Sequence, residues 1–228
     1  TVKEVMPSLV QLKLDKELYK SMAGNRVEGG IVLYSNSESV SSDRNEILFT
    51  EYGISGNAVL NISREASLFL MQGKKVELSV DLLPDETLNE TKSILKRRME
   101  SIGKRKAENL LNGWINKRVG MAVLKSSGID LSRQISSLTD DEGERISEKL
   151  HDFRFKVKDT NGFRNAQVMA GGVATDEVSP DTMESEKEMG IFFTGEILDV
   201  DGKSGGYNLH FAWASALVAA DAISKRLK

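Results

Sequence analysis

The sequence predicts a mixed α+β fold, and three observations lead to that prediction. Stretches in which apolar and polar residues alternate, as in half-buried strands, dominate residues 8–84 and return after residue 150. Residues 85–150, between them, have the composition and spacing of helices. A glycine-rich acidic loop then leads into a helix over residues 207–226. We therefore expect a mainly antiparallel β part, a helical part and a C-terminal segment.

The first β part contains four predicted strands and one helix. The helix is expected to follow Ser55, because apolar residues recur at helical spacing from Ala58 to Met71. Gly73 stands where a left-handed C-terminal cap is favoured, and Pro84 is expected to end the last strand. The predicted strands cover residues 8–14, 26–35, 46–53 and 74–84.

Helices predominate in the middle of the chain, where they are predicted over residues 85–101, 105–128 and 139–150. Thr139 has the position of an N-cap, because acidic residues fill the turn that follows it. The basic run at residues 92–98 is interpreted as a solvated helix face. Binding to single-stranded nucleic acid would require aromatic residues among the basic ones, and this run contains none.

After residue 150 the pattern returns to strands. Residues 153–172 are predicted to form a hairpin around a turn at 160–162, and residues 190–196 a short buried strand. The helix over residues 207–226 is rich in small side chains, which would let its axis lie close to a sheet or a cofactor. They are Ala212, Ala214, Ser215, Ala216, Ala219, Ala220 and Ala222.

Composition excludes several classes of function. The net charge is −3 and the sequence pI about 5.6, so no global basic field indicates a nucleic-acid or anionic-membrane partner. No apolar run approaches the roughly 20 residues of a membrane span. The absence of cysteine excludes disulfides and thiolate metal sites and fits a reducing compartment. His151 and His210 lack metal-ligand spacing. We expect a cytoplasmic protein without a metal site.

The loop before the last helix matches neither a calcium loop nor a P-loop. A calcium loop would need an oxygen ligand at Lys203, a glycine at Ser204 and a glutamate at His210. A P-loop ending in residues 202–204 would need a glycine at Ile197. What remains is a carboxylate and two glycines before a helix, where free N–H groups favour a negatively charged ligand. On pattern alone, a helix packed in an α/β core behind an acidic loop is the favoured interpretation.

Two stretches near the end of the sequence carry a resemblance to a known family. "QVMAGGVATDEVSPDTMES" (167–185) and "GIFFTGEILDVDGKSGGYNLHFAWASALVAA" (190–220) strongly resemble the C-terminal end of the HI0933-like, or aminoacetone oxidase-like, bacterial FAD-dependent oxidoreductases. "PSLVQL" (7–12) and "ILFTEYGISGNAVLNIS" (47–63) resemble the insert domain of that family in the same order. The resemblance covers essentially the whole chain. It implies an insert domain over residues 1–165, with a helical part at about 85–150, and the C-terminal segment of a Rossmann-like FAD-binding domain over 166–228.

The resemblance also implies roles in holding FAD. Glu196 would bind a ribityl hydroxyl, and the start of the last helix would face the pyrimidine edge of the isoalloxazine ring. A double glycine after the 153–172 hairpin would let the chain pass close to the flavin. No catalytic side chain is assigned. The implied cofactor-binding residues are Gly171, Gly172, Gly195, Glu196, Gly205, Gly206, Tyr207, Asn208 and Leu209.

The glycine-rich G-x-G-x-x-G motif that opens flavoproteins of this kind is absent from the sequence. The resemblance therefore implies that the N-terminal dinucleotide-binding half is missing. We expect the intact protein to be an FAD-dependent oxidoreductase with a small-molecule substrate, whether or not NAD(P)H reduces it. The chain alone is expected to be inactive and to hold no FAD tightly, and a second copy of it is one way to complete residues 195–206. The alternative is a complete, non-enzymatic α+β binding module.

Overall fold

A computed structural model describes residues 1–15 and 17–227 and confirms the mixed α+β fold. Within these residues there are eight strands and five α-helices. The strands are β1 Val2–Ser8, β2 Leu12–Leu14, β3 Arg26–Ser35, β4 Glu38–Phe49, β5 Gly53–Ser55, β6 Val76–Asp81, β7 Phe153–Thr160 and β8 Val168–Val173. The helices are α1 Asn57–Met71, α2 Leu88–Ser101, α3 Lys117–Ser126, α4 Asp140–His151 and α5 Tyr207–Arg226.

Six of the strands close into a barrel, in the order β2, β5, β4, β3, β6, β7 and back to β2. Every neighbouring pair is antiparallel, and the pairing of Leu12 with Thr160 between β2 and β7 completes the ring. Because side chains alternate along a strand, one face of each strand fills the barrel. The buried residues on these faces include Leu12, Ile31, Leu33, Ile47, Phe49, Ile54, Leu78, Val80, Phe153 and Phe155.

Helix α1 packs its buried face against strands from around the barrel. It is the helix expected after Ser55, and Gly73, with φ +70°, confirms the predicted left-handed position after its end. Two buried serines of α1 also hold the chain that leads into the barrel. Ser63 Oγ accepts a hydrogen bond from Val10 N (3.0 Å), and Ser67 Oγ donates one to Pro7 O (2.6 Å).

The helical part, α2 to α4, lies between β6 and β7 in the chain and shares one hydrophobic core with the barrel. The predicted cap at Thr139 is confirmed, because its side chain accepts from Glu142 N while the Glu142 carboxylate accepts from Thr139 N. The helix predicted over 105–128 is shorter than expected. It begins after Asn116, whose side-chain oxygen accepts from Arg118 N (2.9 Å) and thereby caps α3.

The predicted hairpin over residues 153–172 is wrong. Strand β7 stays in the barrel between β2 and β6, whereas β8 leaves it and pairs with β1 in a separate two-stranded ribbon. A closed barrel gives β7 a hydrogen-bonding partner on both sides, so no edge remains for β8. The turn at 160–162 contains Gly162 in a left-handed conformation (φ +76°) and directs the chain out of the barrel.

Three other strand predictions need correction. The strand predicted over 46–53 is interrupted at residues 50–52, because β4 ends at Phe49 and β5 begins at Gly53 as its antiparallel neighbour. The strand predicted over 8–14 is divided into β1 and β2 at Leu9, which has a left-handed φ of +47°. Residues 190–196 form no strand in the described structure, because their backbone finds only an isolated bridge, between Glu184 and Phe192. A strand needs a paired neighbour along its length, and none is available there. The division at residue 165 stays a prediction, although β1, assigned to its first part, pairs with β8.

Candidate cofactor site

A short turn at Gly195–Ile197 packs directly against helix α5. Gly195 has a φ of +67°, and a Cβ atom added to it would lie 3.3 Å from the Cβ of Ala212. The Gly195 N–H donates to the buried Ser215 Oγ at 2.9 Å. Small residues on both sides allow this close approach, although it is to a turn and not to a sheet or a cofactor. The contact holds the turn, and with it the backbone of Glu196, against the part of α5 around Ala212 and Ser215.

Glu196 is exposed, and its carboxylate bridges the turn to strand β8. The Oε1 atom accepts a hydrogen bond from Met169 N at 2.6 Å. Among the described residues, Oε2 has no hydrogen-bond partner. One carboxylate oxygen thus orients the side chain, and the other remains available to accept a hydrogen bond from a ligand hydroxyl group.

Gly171 and Gly172 serve the packing of the chain on itself. Both have left-handed φ values, +90° and +120°. An added Cβ would lie 2.2 Å from Glu4 O at the first and 2.4 Å from Ile197 O at the second. Any side chain would collide with backbone at either position. Their predicted close approach to a flavin stays a prediction, since the approach seen here is to β1 and to the Gly195–Ile197 turn.

Helix α5 begins without a side-chain cap. Gly206 precedes it in a left-handed conformation (φ +92°), and a Cβ there would point into open space. Tyr207 and Leu209, at its start, are 65% and 72% exposed. The first N–H groups of a helix have no acceptor within the helix, so this turn presents free donors with partial positive charge. Gly205 is likewise exposed.

The side chain of Asn208 is used within the loop. Its Oδ1 accepts from Gly202 N at 2.8 Å, and its Nδ2 donates to Gly202 O at 2.9 Å. These two bonds tie the loop of residues 199–206 to the helix start. The loop is therefore attached to the helix start, with the Asn208 amide as an internal brace and its backbone N–H in the free first turn, whereas Gly195 contacts α5 farther along, at Ala212 and Ser215.

Aspartates of this loop are bound by residues from the beginning of the chain and from α1. Asp199 forms an ion pair with Lys3 (2.7 Å) and accepts from Gly171 N (3.1 Å). The hydrogen bond from Lys3 holds the pKa of Asp199 below its usual range. Asp201, whose side chain is 6% exposed, accepts from Ser8 Oγ and from Arg64 Nε, both at 2.8 Å.

Sequence reasoning missed the partners of these aspartates. Lys3, Ser8 and Arg64 lie far from the loop in sequence, and no local pattern joins them to it. The only available signal was the pair of aspartates. Because the loop does not match a calcium site, buried carboxylates there need cations or hydroxyl donors from elsewhere in the fold. Among the described residues no group of three potential metal ligands comes together, and no helix is long and apolar enough to cross a membrane.

One face of α5 carries exposed apolar side chains. Trp213 is 73% and Leu217 66% exposed, and both lie at helical spacing from Leu209. Only Ser215 and Ala219 of this helix are buried among the described residues. Soluble proteins seldom expose a contiguous apolar face of this kind without a partner. We call this face, formed by Leu209, Trp213, Ala216, Leu217 and Ala220, the α5 stripe.

The fold defines a class of protein: an antiparallel barrel with inserted helices, followed by a segment with a glycine-bounded helix start. Residues 6–168 match the barrel and H2TH domain of HI0933-like proteins, and residues 115–222 match the HI0933-like Rossmann domain. The first match alone covers more than half of the chain, which therefore belongs to the HI0933-like family. Since the two matches overlap, they do not fix the boundary between the parts.

Three relatives show the same membership. A 3-dehydro-bile acid delta(4,6)-reductase of Clostridium scindens is 35% identical over 99% of this chain and 55% of its own length. A ribosomal RNA dihydrouridine synthase of Haemophilus influenzae is 34% identical over 80% of this chain and 43% of its own. A protein of the same name from Escherichia coli is 33% identical over 93% of this chain and 50% of its own. The chain spans about half the length of the curated relatives that it matches.

Proposed function

We propose that this chain is part of an FAD-dependent oxidoreductase and supplies its insert domain and the isoalloxazine and ribityl side of the flavin site. The observation that carries the proposal is Glu196, whose Oε2 atom has no partner among the described residues, and the uncapped first turn of α5 follows it in the chain. A relative named as a reductase, similar along 99% of this chain, supports the reaction class.

The residues present fit one end of the cofactor. FAD, when bound, supplies hydride-transfer chemistry. Glu196 would accept a hydrogen bond from a ribityl hydroxyl, and a charged acceptor makes a stronger bond than a neutral one. The N–H groups of Tyr207, Asn208 and Leu209 would face the pyrimidine edge, where a reduced flavin carries negative charge. Donors and a helix dipole at that edge favour the reduced state.

The other end of the cofactor has no counterpart among these 228 residues. A pyrophosphate is usually held at a helix N-terminus behind a G-x-G-x-x-G turn, and that motif is absent from the sequence. We propose that a dinucleotide-binding half supplies it and covers the α5 stripe. The exposure of Trp213 and Leu217 supports this arrangement, as does the greater length of the relatives.

The proposed substrate is a small molecule. The net charge of −3 provides no electrostatic footprint for a polyanion, and the reductase of Clostridium scindens carries a small-molecule substrate in its name. Two other relatives are named for ribosomal RNA. Binding to ribosomal RNA is therefore the alternative that the experiment must distinguish from a small-molecule substrate. Salt-dependent binding of the full-length protein to ribosomal RNA, at concentrations where unrelated RNA does not bind, would contradict the small-molecule assignment.

Flavin titration tests the cofactor. We expect the full-length protein to purify with the visible absorption of a flavin or to acquire it when FAD is added. The 228-residue chain should bind no FAD stoichiometrically at micromolar concentration, because the contacts for the pyrophosphate and adenosine are missing. If the chain quenched flavin fluorescence at a one-to-one ratio, this would contradict the proposal that it holds only one end of the cofactor. Persistent absence of flavin from the full-length protein would favour the non-enzymatic binding module.

A further inference from the structure

The loop that leads into α5 is held by the barrel through two side chains of α1. Asn61 Oδ1 accepts a hydrogen bond from Ser204 N at 2.9 Å. Arg64 Nε donates to Asp201 Oδ1 at 2.8 Å. Residues three apart lie on the same face of a helix, so α1 contacts the loop at two neighbouring points.

Both of these side chains are fixed by further contacts. The Asn61 amide donates from Nδ2 to Asp43 Oδ2 on strand β4 at 2.6 Å. The carboxylate that Arg64 binds is almost fully buried and is also held by Ser8 Oγ at 2.8 Å. A continuous series of hydrogen bonds therefore runs from the barrel wall through α1 to the loop.

The loop passes this constraint to the helix start. Asn208 bonds twice to Gly202, which lies between the two points held by α1. Gly205 and Gly206 follow Ser204, and an added Cβ at Gly206 would meet nothing within 4 Å. An added Cβ at Gly205 would lie 3.5 Å from the Tyr207 ring. The contacts at Asp201, Ser204 and Asn208 therefore hold the loop side of the first turn of α5, while the Gly195–Ile197 turn holds the helix farther along.

We propose that Asn61 and Arg64 are positioning residues, which align the first-turn N–H groups of α5 with the flavin ring and so couple the barrel to the reduction potential of the cofactor. The inference rests on the proposed function. Neither side chain is assigned a contact with the flavin, and both act through the loop. A purely structural role would also hold the loop in place, but it would leave the potential unchanged.

Hydrogen exchange in the 228-residue chain tests the mechanical step without any cofactor. Asn61→Ala should speed amide exchange at Ser204 on the order of tenfold, since its hydrogen bond to Asn61 is lost, and should also speed exchange at Gly202 and His210, whose N–H groups are hydrogen-bonded in the same region. Arg64→Gln should act in the same region, and Arg64→Lys should restore part of the protection. Arg26→Gln, which removes the ion pair with Glu46 on the barrel, is the matched control. Exchange in β3 and β6 should not change in the α1 variants.

The flavin step is tested by the midpoint potential of the full-length protein. In Asn61→Ala and Arg64→Gln the ratio of reduced-flavin to oxidised-flavin affinity should fall about two- to fivefold, as expected when a helix terminus loses its alignment with a charge. The potential should therefore become more negative, and in Arg26→Gln it should equal that of the wild type.

The possible results are distinguishable. Wild-type exchange at Gly202, Ser204 and His210 in both α1 variants would overturn the inference, whether or not flavin binds. Faster exchange with an unchanged potential would reduce both residues to a structural role and would also overturn it. A full-length protein that takes up no flavin would overturn the proposed function and the flavin step together, while the exchange result would still decide whether α1 holds the loop.

Discussion

The barrel with its helices and the C-terminal segment differ in how completely they bury their apolar residues. In the barrel, large side chains such as Phe49, Phe153 and Leu78 are at most 1% exposed. In the segment after β8, Trp213 and Leu217 are more than half exposed, and the apolar stretch at 190–196 has no strand partner among the described residues. The first region closes on itself. The second leaves large apolar side chains exposed.

Truncation of one buried and one exposed aromatic residue gives the sharpest test of this comparison. Phe49→Ala should lower the free energy of unfolding by about 3–5 kcal/mol, since Phe49 packs against Phe155 (ring centroids 6.1 Å apart) inside the barrel. Trp213→Ala is the matched control in the C-terminal segment and should have little effect in this chain. Denaturant unfolding measures both. A similar cost at Trp213 would mean that the α5 stripe is covered within the chain or by a second copy.

The next largest effect concerns the polar groups of the C-terminal segment. In a full-length protein whose bound flavin buries Glu196, Glu196→Ala should weaken FAD binding by about 1.5–3 kcal/mol, because a charged hydrogen bond is lost. Glu196→Gln keeps the size of the side chain and one hydrogen-bond acceptor, so it should weaken FAD binding less than Glu196→Ala. Flavin retention during dialysis gives the comparison. Equal retention in the wild type and Glu196→Ala would remove this residue from the cofactor site.

Added methylenes on α5 distinguish its packed face from its exposed one. Ala219 is 5% exposed, so Ala219→Leu should overpack the contact with the rest of the segment and cost about 1–3 kcal/mol. Ala216 is exposed, and Ala216→Leu should be tolerated in this chain. In a protein whose dinucleotide-binding half covers the α5 stripe, Ala216→Leu should destabilise as well. Thermal melting of the two variants in both forms of the protein tests this difference.

The smallest expected effect is a pH dependence that differs between the regions. The hydrogen bond from Arg133 holds the pKa of Glu142 below its usual range, and that from Arg226 does the same for Glu184. A lowered pKa stabilises the fold above the carboxyl's ordinary value, about 4.3, and this contribution is lost as the pH falls through the folded-state value.

Glu142→Gln should therefore reduce the acid sensitivity of global unfolding, because Glu142 belongs to the shared core region. Glu184→Gln should act locally, since its carboxylate holds Arg226 at the end of α5 together with Gly190 N (2.8 Å). Proteolysis near Arg226, compared with global melting between pH 3 and pH 6, separates the two responses. Global acid destabilisation that Glu184→Gln abolishes would contradict the division into two regions.

The sequence was most informative where a structural signal is local. Strand β3, helix α1 with Gly73, and the cap at Thr139 were predicted because alternation, helical spacing and capping involve neighbours in sequence. Partner choice was not predictable in this way. The 153–172 hairpin failed because β7 pairs across the barrel and β8 pairs with β1, which are contacts between distant parts of the chain.

The candidate site shows the same limit. Glu196 and most of its glycines stand between residues 195 and 206, whereas Gly171 and Gly172 lie on β8. The structure joins Gly202 to the start of α5 and Gly195 to the helix farther along. The contacts that hold it, from Lys3, Asn61 and Arg64, come from the other end of the chain or from the barrel. Their roles follow only from tertiary structure, because neither spacing nor residue type singles them out from other polar surface residues.

The connections between the ribbon and the barrel have a consequence for how such a protein could be built and altered. The chain enters the barrel through residues 9–11 and leaves it through 161–167, and these two connections are bonded to each other, Asn161 N to Gln11 O (2.8 Å) and Gln167 N to Leu9 O (3.2 Å). Residues 12–160 therefore leave and rejoin the rest of the chain side by side. A paired cut at these connections would exchange this segment without changing the order of the remaining chain, but it would also remove Asn61 and Arg64, which hold the loop before α5.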